Sequence, residues 1–201
     1  MFDRAFFARP AVEVAPALLG AHLVSGEVTM RITEVEAYLG VGEDPGSHSF
    51  RGRTNRNAVM FGEPGHLYTY FTYGMHVCAN VVCSPAGTSS AVLFRAGEIV
   101  AGRDVASARR HTSRTADDLA RGPARLTVAL GITLADGGTD LAEGALRIEL
   151  PAVASAYQSG PRTGVSGLGG GTDYPWRFWI PGDPTVSPYK AHAPKKLPAT
   201  R

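Results

Sequence analysis

Three strand-like runs follow one another with almost nothing between them: HLYTYFTY (66–73), MHVCANVVCS (75–84) and SSAVLFRAGEIV (89–100). The turn signals are Gly74 and the segment from Pro85 to Gly87. Breaks this short allow hairpins, but not the crossover of a dozen or more residues that parallel strands require. AHLVSGEVTMRITEVEAYLG (21–40) supplies two more β-rich runs joined at Ser25-Gly26, ALRIELP (145–151) another, and WRFWIPG (176–182) a last. Helical spacing of Val12, Ala15, Leu18 and Leu19 predicts a short helix over 11–20 that closes on Gly20. Residues 98–110 also read as helical, and GPARLTVALGI places Pro123 at a helix start and Gly131 near its end. Strands outnumber helices and mostly succeed one another directly. The expected fold is therefore α+β, with a central, mostly antiparallel sheet and peripheral helices. Length allows one well-cored domain over 1–201, with a proline-rich tail from about residue 188.

Between the strands lies a polar stretch without core pattern, GVGEDPGSHSFRGRTNRN (40–57). Loops of that length are usually functional or disordered. A net charge of +2 does not announce a nucleic-acid binder, so the placement of charge matters more than its sum. Arg51, Arg53 and Arg56 form one basic group, Arg109, Arg110 and Arg114 a second, and Lys190, Lys195 and Lys196 a third. Each could contact phosphates, and each could equally be solvated surface. No lysine precedes Lys190, which removes Schiff-base chemistry from the first 189 residues. Cys78 and Cys83 lack the spacing of a zinc site and read as small buried hydrophobes, so a reducing cytoplasm is the expected setting. GLGGG (167–171) has the wrong spacing for a dinucleotide fingerprint, and no phosphate-binding loop with its lysine exists. Asp3, Arg4, Arg9 and Glu13 interrupt the apolar N-terminal stretch, leaving neither a signal peptide nor a membrane span readable there. No metal and no organic cofactor is called for.

Two segments carry chemistry. Across MRITEVEAYLG (30–40), strict alternation puts Val35, Ala37 and Leu39 on an apolar face and Glu34, Glu36 and Tyr38 on the other. Neighbours on that second face would be about 6.5 to 7 Å apart. Such carboxylates either blunt a solvent-facing strand or serve as a general base held rigidly at a cleft. In YTYFTYGMH (68–76), Tyr68 and Tyr70 share a face. A core would use Val or Ile, because a buried phenol needs a hydrogen-bond partner; flat rings with polar tips suit stacking on a planar ligand.

EVEAYLG, GSHSFRGRTNRN, MFGEPGHLYTYFTYGMHVCANVV and AVLFRAGE, in this order, resemble the alkyladenine (3-methyladenine) DNA glycosylase family. FFARPAVEVAPALLGAHLV, RGPARLTVALGI, PRTGVSG and PWRFWI continue the likeness from about Phe6 to Ser187. The resemblance implies an enzyme that flips a damaged nucleotide out of duplex DNA into a pocket. It implies Glu36 as the general base that activates a water, and Arg95 as the cation that holds Glu36 ionised and helps orient that water. Tyr70 and His48 would stack on one side of the flipped base and Tyr38 on the other. Asn80 would exclude the exocyclic amino group of normal guanine. Tyr73 would be the wedge in the duplex, with Gly74 permitting the tight turn and Met75 widening it. Arg51, Arg53 and Arg56 would contact DNA. Glu34 would be supporting, Tyr68 core, and backbone groups of 162–164 would border the water.

Alkylation at N3 or N7 places positive charge on the purine and weakens its bond to the sugar, and an aromatic pocket favours a cation. The implied reaction is monofunctional hydrolysis without strand cleavage, leaving an abasic site, by a monomer acting on double-stranded DNA that carries an alkylated or deaminated purine. Two other readings use the same residues: a base-stacking module that does not cleave, and a carbohydrate hydrolase built on Glu34 and Glu36. A carboxylate facing an anionic ligand argues against the first, and a wedge-like hairpin tip against the second.

Overall fold

A computed structural model of the chain describes residues 3–72 and 74–193. Its two longest strands, β2 (Val28–Tyr38) and β5 (Ser90–Ala101), pair antiparallel through the middle of one sheet. Outward from β5 come β4 (His76–Cys83) and β3 (Leu67–Thr72); outward from β2 come β1 (His22–Ser25) and β6 (Leu146–Glu149). β8 (Arg177–Trp179) takes the edge of β2 that β1 leaves free, opposite Glu34 to Glu36, and β7 (Gln158–Gly160) pairs with β8. Every pairing among these strands is antiparallel, and the β1–β2, β3–β4 and β4–β5 hairpins fall where the turn signals predicted them. The fold is α+β, as expected. No helix among the described residues is long and apolar enough to cross a membrane.

The helices are short and lie against the sheet. α1 (Arg4–Phe7), too short for periodicity to reveal, is capped by the Asp3 carboxylate accepting from Ala5 N–H. α2 (Ala11–Ala17) buries Val14 and Ala15, and α4 (Pro123–Leu130) buries Leu126, Ala129 and Leu130 against the same core as Ile32, Val35, Val81, Val92 and Phe94. α4 begins on Pro123 and ends at Gly131, whose φ of 72° is the left-handed cap that glycine adopts without strain. α3 (Arg103–Arg109) corrects the helix expected over 98–110. β5 continues to Ala101, because Glu98 and Ile99 still pair with β2, and only after Gly102 at φ 68° does the chain turn into a helix.

The strict alternation expected over 30–40 is also corrected. Met30 and Ile32 face the core with even numbers, Val35 and Ala37 with odd ones. Parity changes at Thr33, where pairing to β5 steps from Ile32–Gly97 to Glu34–Ala96. One extra residue on one strand flips the faces of everything after it, which defines a β-bulge. The register then shifts again, from Glu34–Ala96 to Val35–Phe94, so that Arg95 has no partner on β2. The two irregularities bend the sheet at the point where Glu34, Glu36 and Arg95 meet.

Candidate active site

The bent end of β2, the β3–β4 hairpin and the loops of residues 45–48 and 163–166 enclose a cavity of about 320 Å³. Glu36, Tyr38, His48, Tyr70, Asn80 and Arg95 all line it. Strand alternation brings them together: Glu36 and Tyr38 come from one face of β2, Leu93 and Arg95 from β5, Cys78 and Asn80 from β4, Tyr68 and Tyr70 from β3.

Glu36 is buried, yet both carboxylate oxygens are held by groups at the cavity. The Tyr38 hydroxyl donates to Oε2 at 2.8 Å, the Thr163 backbone N–H donates to Oε1 at 2.7 Å, and Arg95 Nε lies 3.6 Å from Oε1. Glu34, two residues earlier, accepts from Arg95 Nε at 3.0 Å, Arg177 Nε at 2.5 Å and Ser187 N–H at 2.7 Å. Arg95 therefore serves both acids, but its direct hydrogen bond goes to Glu34. Burial works against the charge on Arg95, and the carboxylates of Glu36 and Glu34 outweigh it, raising its pKa. Two acids and two arginines balance, which is what allows four ionisable groups to be removed from water together.

Behind Tyr38 lies a second buried pair. Arg162, 1% exposed, grips Asp44 with both terminal nitrogens at 2.6 and 2.7 Å and donates to the carbonyls of Ala37 and Gly169. Its guanidinium carbon lies 4.4 Å from the centroid of the Tyr38 ring. A Cβ on Gly46 would come within 2.6 Å of Arg162 Nη2, so the cradle demands glycine there. The fork thus ties the end of β2 to both loops that wall the cavity, and the next residue, Thr163, reaches Glu36.

Across the cavity, the His48 and Tyr70 rings meet edge to face at 4.5 Å between centroids, and His48 Nδ1 is hydrogen-bonded to the Tyr68 hydroxyl at 3.1 Å. Burial, with Arg56 nearby, lowers the His48 pKa below 6.5, which keeps the ring neutral at pH 7. Burial pushes the Tyr68 phenol up to about 12 and likewise raises Tyr70 and Tyr38, so all three rings remain uncharged donors. The Asn80 amide nitrogen donates to the Tyr68 carbonyl, fixing the side chain on the wall. The whole is an aromatic slot with one carboxylate in its floor.

The family model for methylpurine-DNA glycosylases matches residues 5–184. The chain belongs to that family. A relative from Leifsonia xyli is 61% identical over 197 residues, covering 92% of this chain and 91% of the relative. One from Streptomyces avermitilis is 55% identical over 202 residues, covering 96% and 93%. One from Mycobacterium leprae is 49% identical over 185 residues, covering 89% and 85%. All three are provisionally named 3-methyladenine DNA glycosylases. Membership makes the chain a DNA-repair hydrolase that acts on N-glycosyl bonds in DNA.

For this methylpurine-DNA glycosylase relative, the remaining predicted residues sit on the rim. Arg51, Arg53 and Arg56 are exposed on the loop that carries His48, with Arg56 donating to the Phe71 carbonyl and lying 5.7 Å from the Tyr70 centroid. Gly74, at φ 67°, and Met75, 67% exposed, form the β3–β4 turn beside the mouth. Tyr73 lies outside the described residues. Four contributors escaped the sequence reading. Arg162, Asp44 and Arg177 are charges buried by tertiary pairing, which no spacing announces, and Cys78, read only as a hydrophobe, reaches the cavity wall beside Tyr70. Tyr68, read as core, is buried and also lines the cavity.

Proposed function

We propose that the cavity receives an alkylated purine flipped out of double-stranded DNA and that a water activated by Glu36 hydrolyses its N-glycosyl bond. The observation that carries this reading is the placement of a buried, pre-oriented carboxylate in the floor of a slot whose walls are Tyr38, His48 and Tyr70. Three neutral aromatic rings favour a cationic purine by their π-faces. Departure of that purine leaves an oxocarbenium-like sugar, which an adjacent carboxylate stabilises and a water traps. The hydrogen bonds from Tyr38 and Thr163 leave Glu36 little freedom to rotate, so the base is preorganised rather than assembled on binding. Thr163 also lines the cavity, and its buried hydroxyl oxygen has no hydrogen-bond partner among the described residues. That makes it a second anchor for the attacking water.

Arg95 shares its charge between the two acids, Asn80 rejects the amino group of normal guanine, and Gly74 and Met75 with Arg51, Arg53 and Arg56 engage the duplex. The reaction is monofunctional, as the absence of lysine before Lys190 supports, and ends in an abasic site. 3-Methyladenine is the first substrate, 7-methylguanine next; hypoxanthine and ethenoadenine, being neutral, need more help to depart. The enzyme works as a monomer in the cytoplasm, on the DNA. Base release from a duplex with one 3-methyladenine tests the reading. Free base is expected with the native chain, and release slowed by about 10² to 10⁴ with Glu36→Gln, which still binds the damaged duplex. No release from methylated DNA by the native protein would overturn it.

A further inference from the structure

A second concavity, of about 390 Å³, lies outside the cavity just described, between α3 and the segment that follows it. Arg103, Arg110, His111 and Arg114 line it together with the hydroxyl residues Ser107, Ser113 and Thr115. Among the described residues, no carboxylate is in its wall. Asp118, just beyond it, is turned to Arg125, Arg110 and the Ser113 hydroxyl, and the exposed Asp104 and Asp117 do not reach the lining. Arg110 is anchored, donating from Nε to the Leu119 carbonyl. Arg103 and Arg114 are exposed and carry no ion pair among the described residues. Arg110 and Ser113 are engaged by Asp118, so the donors left in the lining are the guanidinium forks of Arg103 and Arg114 with the Ser107 and Thr115 hydroxyls beside them, a set suited to a tetrahedral oxyanion.

We propose that this hollow is a phosphate-binding site, and that its ligand is a backbone phosphate of the DNA on which the first cavity acts. The chain itself gives the distance. Leu119 is in the wall of the hollow and Pro123 in the wall of the cavity, four residues apart, so the two walls are separated by at most about 14 Å of chain. At a rise of about 3.4 Å per base pair, that is a step of at most about four pairs along a duplex. A contact there holds the duplex against α4 while the nucleotide is extruded, and it adds affinity without reading sequence.

The proposal rests on the duplex being the substrate, and the test keeps the two apart. In the full-length protein, Arg103→Ala with Arg114→Ala removes the two unpaired cations without touching the Arg110 anchor, with Arg147→Ala on β6 as the control. For a lesion duplex extending well beyond the cavity on both sides, the double variant is expected to bind about threefold to tenfold more weakly at low salt. The slope of log affinity against log salt should become shallower by about 1, the signature of one lost phosphate contact. Single-turnover base release at saturating duplex stays at the native rate, which reports on the catalytic reading independently. Titration with inorganic phosphate, followed by backbone amide shifts of Ser107 and Ser113, separates the sources. Shifts abolished by the double variant, with duplex affinity unmoved, identify free phosphate as the ligand. Unchanged affinity and salt slope together with no phosphate-dependent shifts overturn the proposal.

Discussion

The floor of the cavity and its rim use the same residue types under opposite conditions. In the floor and behind it, Arg95, Arg162 and Arg177 are buried and each faces a carboxylate: Glu34 and Glu36, Asp44, and Glu34 again. On the rim, Arg51 and Arg53 are exposed and make no ion pair among the described residues. Aromatic and apolar groups divide in the same way. Tyr38 and Tyr68 are held by hydrogen bonds or stacking, whereas Phe71 and Met75 project into solvent. A buried arginine must be matched by a negative charge of the protein itself, since desolvation costs several kcal/mol per ion. An exposed one keeps its hydration and is free to find a phosphate. On the proposed function, geometry is built in the floor and attachment to the duplex is left to the rim.

The sharpest way to break that division is to remove charge from the floor. Glu36→Gln keeps the shape and the Tyr38 contact but cannot take a proton; single-turnover base release should fall by about 10² to 10⁴, the usual contribution of a general base. Duplex affinity should stay within a few-fold. Glu34→Gln strikes the same network and should appear as lost stability instead. Leaving Arg95 and Arg177 buried without their shared acid costs about 3–5 kcal/mol, to be read from denaturant unfolding. If Glu34→Gln instead lowered rate without lowering stability, the two acids would have exchanged roles.

Tyr38→Phe tests a single bond between wall and floor. It keeps the ring over Arg162 and deletes the hydrogen bond to Glu36, so the rate should drop by about 10-fold to 100-fold, as expected for a hydrogen bond to a charged group worth about 1.5–3 kcal/mol. Acidity provides a milder probe. The folded-state pKa of His48 lies below its ordinary 6.5, so the neutral ring's contribution to stability is complete above 6.5 and is lost as pH falls through the lowered value. A protonated His48 would also repel a cationic purine. kcat/KM on 3-methyladenine should therefore fall on the acid side more steeply than on neutral hypoxanthine, and His48→Phe should remove the difference. Smallest of all, Met75→Ala on the rim should weaken duplex binding a few-fold and leave unfolding free energy within about 0.5 kcal/mol of the native value.

Much of the wall was legible because strands write their faces at a period of two. Glu36 and Tyr38, Tyr68 and Tyr70, and the core residues Val35 and Ala37 declare themselves by alternation, and Pro123 and Gly131 mark the ends of α4. The same rule failed at Thr33, where a bulge inserts one residue and reverses every face upstream. It failed again at residues 98–102, where continued pairing with β2 kept a strand going into a segment that reads as helix. The long loop of residues 40–57 showed no pattern, yet it is fixed by Asp44 and Asn57, whose partners are Arg162, 118 residues away, and nearby backbone carbonyls.

What the sequence determined by itself was the antiparallel sheet, the aromatic hairpin, the acid of β2 and the family to which the chain is similar, because each rests on residues close together in the chain. Only the tertiary structure decided that Arg95 bonds Glu34 rather than Glu36, that Arg162 and Asp44 brace Tyr38 from behind, and that Thr163 supplies the second hold on Glu36. These are pairings of buried charges and backbone donors across 61 to 127 residues of chain. Their physical requirement, that no buried charge go unmatched, constrains where residues meet in space and leaves no periodic mark on the order in which they occur.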